Sequence, residues 1–149
     1  MIERRAARAL VVTPDRHVLL MKMAFPWLSR AIWIAPGGGL QRGETWEAAA
    51  LRELQEETGF LATGIGPQLW ERTLHIEHKE QITRLHERYF VVRARRFEPG
   101  SARLEAQERG WFRGFRWWPL SELAKDDSVE LGCTLQAVIT PVLQISCVL

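Results

Sequence analysis

Cysteine and tyrosine are nearly missing from this 149-residue chain, which holds two of the first and one of the second. Cys133 and Cys147 stand apart near the C-terminal end, with no CxxC pair and no Cys/His cluster around them. That pattern excludes a zinc knuckle, and it excludes a disulfide framework, which needs more cysteines in a smaller chain. Both cysteines are expected as buried free thiols. No apolar run approaches the ~20 residues of a membrane-spanning helix. Ala9-Leu10-Val11-Val12 follows a few arginines, as a signal peptide's apolar region would, but it stops at Thr13-Pro14-Asp15. The expectation is a soluble, cytoplasmic chain without a membrane partner. Charge of one sign is not in excess either, since 20 basic and 18 acidic residues leave +2. The basic residues are scattered, so no nucleic-acid partner is expected. At most they form a positive rim that attracts anionic phosphates.

What is present fits an ordinary globular chain, expected as one domain over residues 1–149. Arg8 to Val12 and His17 to Met23 are apolar runs around the turn sequence Thr13-Pro14-Asp15-Arg16, which predicts a β-hairpin. Ala31 to Ala35 is a short strand ending at Pro36-Gly37-Gly38-Gly39. Leu69 to Ile76 and Thr83 to Ala94 are two more strands, separated by a polar loop at Glu77 to Gln81. A long polar loop starts at Pro99, and Phe115 to Trp118 is a last short strand. Leu131, Leu135, Val138, Ile139 and Val142 recur at helical spacing, with Pro141 expected to kink or end that helix. Strands alternating with two helices predict an α/β (α+β) fold, a sheet covered by helices on both sides.

The clearest helix is Thr45 to Thr58, with Thr45 suited to cap its start and Gly59 its end. Leu51, Leu54 and Thr58 form one stripe, expected to face the core. Glu53, Glu56 and Glu57, at i, i+3 and i+4, form a second face. Three crowded carboxylates repel one another, and a hard divalent cation relieves that repulsion. Oxygen-only ligation suits Mg²⁺, Mn²⁺ or Ca²⁺ rather than zinc. Arg52 can pair with Glu56 one turn on. The glycines before the helix permit close backbone approach, to phosphates or to a metal through a carbonyl. An ExxEE run alone is usually a solvated face. Here it comes with a glycine turn, Glu44 and Arg52 at fixed spacing.

That combination resembles the Nudix box: Gly38, then Glu44, then Arg52-Glu53-Leu54-Gln55-Glu56-Glu57-Thr58-Gly59-Phe60, with aromatic Phe60 as the one variation. Trp33 to Gly38 and Arg116 to Leu123 look like the family's flanking segments. The resemblance implies an α/β/α sandwich around a mixed sheet, and Mg²⁺- or Mn²⁺-dependent hydrolysis of a nucleoside diphosphate linked to another group. It implies Glu53, Glu56 and Glu57 as metal ligands, joined by the Gly38 carbonyl. Arg52 and Glu44 would support them. The general base would be Glu53 or Glu57, with Glu105 or Glu108 as alternatives.

For the small-molecule, nucleotide-like substrate, Gly39 would meet phosphate, and Trp27, Trp111 and Trp118 are candidates for stacking on a base. Trp33, Trp70 and Trp117 are expected in the core. Arg84 and Arg88 are further candidates for phosphate, while His75, His78 and His86 are expected as plain strand or loop residues. A (d)NTP or modified nucleotide is the first substrate reading. ADP-ribose, a nucleotide sugar or a dinucleoside polyphosphate is the second. A non-catalytic ligand sensor is the third, disfavoured because every box carboxylate is present. A homodimer stays open.

Overall fold

The computed structural model describes residues 1–100, Leu104 and 106–148, without the side chains of 106–108 and 145–148. β1 (Ile2–Val12) lies parallel to β6 (Gln81–Arg93), paired from Ile2↔Thr83 to Val12↔Arg93. The other pairings between the strands are antiparallel. β2 (His17–Met23) joins β1 at the hairpin and carries β3 (Ile32–Ile34) and β7 (Phe112–Pro119). β4 (Gly37–Gly39) lies against β1, and β5 (Gln68–His78) against β6. The result is the expected mixed sheet.

Strand side chains alternate between faces, and β1 shows what each face does. Leu10 and Val12, with Tyr89 and Val91 of β6, pack under α3 (Gly132–Val148) through Leu135, Ile139 and Leu143. Ala9 and Val11, with Val92, pack against Leu54 of α1 (Trp46–Thr58). Helices therefore cover both faces, in the sandwich the alternation implied. Ala7 and Ala9 are fully buried under α1, and their small side chains let the helix come close.

The structure departs from the sequence reading at several points. The glycine run is not a plain turn: Gly37, Gly38 and Gly39 pair with Arg8, Ala7 and Ala6 as a strand. A Cβ at Gly37 would stand 2.2 Å from the Ala7 carbonyl oxygen, so only glycine lets β4 lie this close. The polar loop at Glu77 to Gln81 shrinks to Lys79 and Glu80, both at positive φ. That is the two-residue turn whose twist matches a hairpin. The stretch expected as a long loop contains a short helix, α2 (Ala106–Trp111). The last helix runs through Pro141 rather than stopping there. Cys133 is exposed, not buried, and the Cys147 side chain lies outside the described residues. Trp70 is 38% exposed on β5, the edge strand of the sheet among the described residues.

Candidate functional site

The site is built on α1. Thr45 caps it as the sequence indicated, its Oγ1 accepting from the Ala48 N–H at 3.0 Å. Gly59 ends it in the left-handed region, its N–H donating to the Gln55 carbonyl at 2.8 Å. The expected split into an apolar and an anionic side does not occur. Glu53 and Glu57 are buried together with Ala49, Ala50, Leu54 and Thr58, while Leu51 is only half-buried. The reason is β4, which lies over both glutamates. The Gly37 N–H donates to Glu57 Oε1 at 2.6 Å. A Cβ on Gly38 would fall 2.5 Å from the Glu53 carboxyl carbon. A side chain at 38 would have to push the Glu53 carboxylate aside.

Arg52 ties the acidic groups together. Its Nε and Nη2 donate to the two oxygens of Glu44 at 2.7 and 2.9 Å, a bidentate pair. Nη1 donates to Glu53 Oε1 at 2.9 Å and reaches Glu56 only at 3.3 Å. The i,i+4 pairing read from sequence exists, but it is weaker than the pairs with Glu44 and Glu53. Nη2 also donates to the Gly39 carbonyl at 2.9 Å, and Glu44 accepts from the Gln41 N–H at 2.9 Å. Arg52 and Glu44 therefore fasten the 39–44 turn to the helix. The hydrogen bond from Arg52 holds the Glu44 carboxyl below its usual range. Burial pushes Glu53 above its usual range, against the pull of Arg52. Among the described residues, no three acidic, histidine or cysteine side chains converge on one point as a ready-made cage.

A cleft runs from this site across the sheet. One cavity of about 640 Å³ is lined by Gly38, Gly39, Arg4, Arg5, Trp27 and Trp111, among others. A second, of about 600 Å³, adjoins it and shares Arg8, Phe25, Trp27, Ile76 and Leu85. Trp27 stacks on Phe25 with ring centroids 4.7 Å apart, and meets Trp111 edge-on at 5.4 Å and His78 at 5.6 Å. Two of the three tryptophans expected to face a ligand are thus together in the cleft. Trp118 is not with them: it is 2% exposed, packed edge-on against Trp33 under the Arg116 guanidinium, and belongs to the core. Its strand β7 alternates, and Trp118 takes the inward position. Arg84 and Arg88 line neither cavity; they pair with Glu3 and Glu71, and Arg88 lies over Trp46. Glu105 and the Glu108 side chain lie outside the described residues.

The sequence reading missed the floor of the second cavity. Glu87, 2% exposed, accepts from Arg8 Nε at 2.8 Å, Arg72 Nε at 2.7 Å and the Tyr89 hydroxyl at 3.2 Å. Arg72 goes on to pair with Glu130. A signal was available: in the inward alternation Leu85, Glu87, Tyr89, Val91, one carboxylate takes an apolar position. Such a group needs a buried cationic partner.

A family model described as the NUDIX domain matches residues 3–136. The chain belongs to that family. It is 32% identical over 91 residues to the ADP-ribose pyrophosphatase of Bacillus subtilis, covering 56% of this chain and 49% of that one. The chain spans about half or less of the length of the curated relatives it matches. Among solved structures it resembles the MutT NUDIX hydrolase of Burkholderia pseudomallei, with a TM-score of 0.70 and 21% identity over 93% of this chain and 99% of the other. It also resembles the NUDIX domain of Shewanella oneidensis NrtR complexed with ADP ribose, with a TM-score of 0.69 and 18% identity over 96% and 90%. At those identities the structures share the fold.

Proposed function

We propose that this chain hydrolyses the diphosphate bond of a nucleoside diphosphate joined to a second group. One observation carries the reading: a single cleft joins the aromatic corner of Phe25, Trp27 and Trp111 to the glycine strand lying over Glu53 and Glu57. An aromatic corner suits a base, and close backbone with nearby arginines suits phosphate. Glu53, Glu56, Glu57 and the Gly38 carbonyl would hold a hard divalent cation, Mg²⁺ or Mn²⁺. The donor set fits, being oxygen-only, anionic and partly buried. A burial-raised Glu53 is a carboxyl that gains from a nearby positive charge. When bound, such an ion neutralises phosphate charge and lowers the pKa of water.

The chain's own residues do the rest. Arg52 keeps the Glu53 and Glu56 carboxylates on the phosphate side while anchoring the 39–44 turn. Glu53 or Glu57 takes the proton of the attacking water. Water adds to phosphorus, the bond to the bridging oxygen breaks, and the second phosphate leaves with that oxygen. Trp27 and Trp111 hold the base at the far end.

For the substrate, the two-lobed cleft favours groups on both ends of the diphosphate, as in ADP-ribose. Each lobe is of single-ligand size, within the range of about 300–1,000 Å³. The name of the Bacillus subtilis relative points the same way. The (d)NTP reading rests on Arg4 and Arg5 at the first lobe, neither ion-paired among the described residues, which suit a terminal phosphate. A Mg²⁺ assay decides: AMP plus ribose 5-phosphate from ADP-ribose supports the ADP-ribose reading, and a dNMP plus pyrophosphate supports the (d)NTP reading. Tight binding of ADP-ribose without turnover of any diphosphate would mark a ligand sensor instead.

A further inference from the structure

The buried cluster under the cleft has a feature that a purely stabilising ion pair would not need. Arg8 carries Glu87 on its Nε and turns its Nη1 the other way, toward the Ala35 and Gly37 carbonyls at 3.3 and 3.1 Å. The carbonyl between them, Pro36, accepts from the Ala9 N–H at 2.8 Å. Three consecutive carbonyls are thus fixed from β1. The N–H of the Pro36–Gly37 peptide, in the middle of that grip, is the one that donates to Glu57 at 2.6 Å. Glu57 is itself 5% exposed, and this donor is one of the contacts that set its carboxylate. A buried ion pair is poor evidence for stability, since well-packed apolar side chains serve as well or better. Its geometry here is that of a bracket.

We propose that Arg8 and Glu87 are positioning residues: Glu87 orients the Arg8 guanidinium, which clamps the Ala35–Gly37 backbone and thereby aims Glu57 at the cation and the diphosphate. Arg72 and Glu130 extend the bracket to the turn before α3, so the second lobe and the glutamate site rest on one set of charges. The inference is built on the hydrolase reading given above, but its test does not depend on that reading alone.

The test is Glu87→Gln, which keeps the shape and removes the charge, studied well below its melting temperature. Two readouts are needed. The first is the Mn²⁺ dissociation constant of the free protein by electron paramagnetic resonance. The second is kcat and KM with the diphosphate substrate the wild type turns over. The expected result is weaker Mn²⁺ binding and lower kcat, each by about 10- to 100-fold, with KM nearly unchanged because Arg8 keeps its charge. Should Glu87→Gln not fold, Arg8→Lys replaces it. A lysine reaches Glu87 but cannot span Glu87 and both carbonyls at once, so the same losses are expected. A lowered melting temperature with wild-type kcat and Mn²⁺ affinity would reduce the cluster to a structural role and overturn the proposal. A rise in KM alone would make Arg8 a substrate contact and overturn it too. A wild type that hydrolyses nothing would count against the hydrolase reading, while the Mn²⁺ constants would still decide on the bracket.

Discussion

Glu56 and Tyr89 mark two extremes of how a side chain can be set. Of Glu53, Glu56 and Glu57, Glu56 is the most open, 39% exposed at its side chain and, among the described residues, held by the long reach of Arg52. Its replacement by Gln should leave the fold intact, since nothing buried depends on it. In steady-state assays kcat should fall by about 1,000-fold, the several kcal/mol that charge neutralisation at phosphorus supplies; wild-type turnover would remove Glu56 from the site. Tyr89 is the opposite case, a buried hydroxyl donating to Glu87. Burial, and then the Glu87 charge, push its pKa from 10.0 up to about 12. Because the folded value is the higher one, the stability it carries is full below pH 10 and is lost as pH rises toward 12. It is the sole tyrosine, so phenolate absorbance reports it without ambiguity. Titration of the native protein should show no phenolate at pH 10, whereas the unfolded chain should be half ionised there. Glu87 has the reverse sign. Burial raises its carboxyl, but Arg8 and Arg72 outweigh burial and hold it low. Its contribution stands above the ordinary carboxylate range and is lost only as pH falls below it.

Among the elements, α1 was the most legible in the sequence, and the reasons are local. Its cap, its terminal glycine and the spacing of its glutamates are all fixed by residues within one or two turns. Thr45→Ala should therefore cost about 1 kcal/mol in denaturant unfolding, without changing kcat of the folded protein. What β4 does was not legible, because three glycines carry no side-chain pattern. Only the Ala7 carbonyl over Gly37 and the Glu53 carboxyl beside Gly38, both distant in sequence, reveal what a side chain would displace there. The same holds for Glu87, whose partners Arg8 and Arg72 come from two other strands. Trp118 shows the limit of counting aromatics: its role follows from which way β7 faces, a matter of two-residue register.

For the whole molecule, the mixed sheet separates two tasks. One face carries α1 and its acids; the other carries α3 and, beyond the end of its apolar core, the two-lobed cleft. β4 lies where the two meet, bound to β1 on one side and to Glu57 on the other. This arrangement separates two tryptophans that look alike in sequence. Trp27→Ala should weaken substrate binding by about 1–3 kcal/mol, the worth of one stacked base, with kcat and melting temperature little changed. Trp118→Ala should destabilise the fold by about 3–5 kcal/mol and leave KM of the surviving native protein alone. A calorimetric melt beside an initial-rate series distinguishes them.

The central claim is that the glutamates of α1, under the glycine strand, take up a divalent cation against a diphosphate. Anomalous diffraction from crystals grown with Mn²⁺ and a non-hydrolysable ADP-ribose analogue tests it most directly. The account expects an anomalous peak within ligand distance of Glu53, Glu56 and Glu57, touching the analogue's phosphate oxygens. A well-ordered analogue with no peak at those three carboxylates, or with manganese bound only elsewhere, would contradict it.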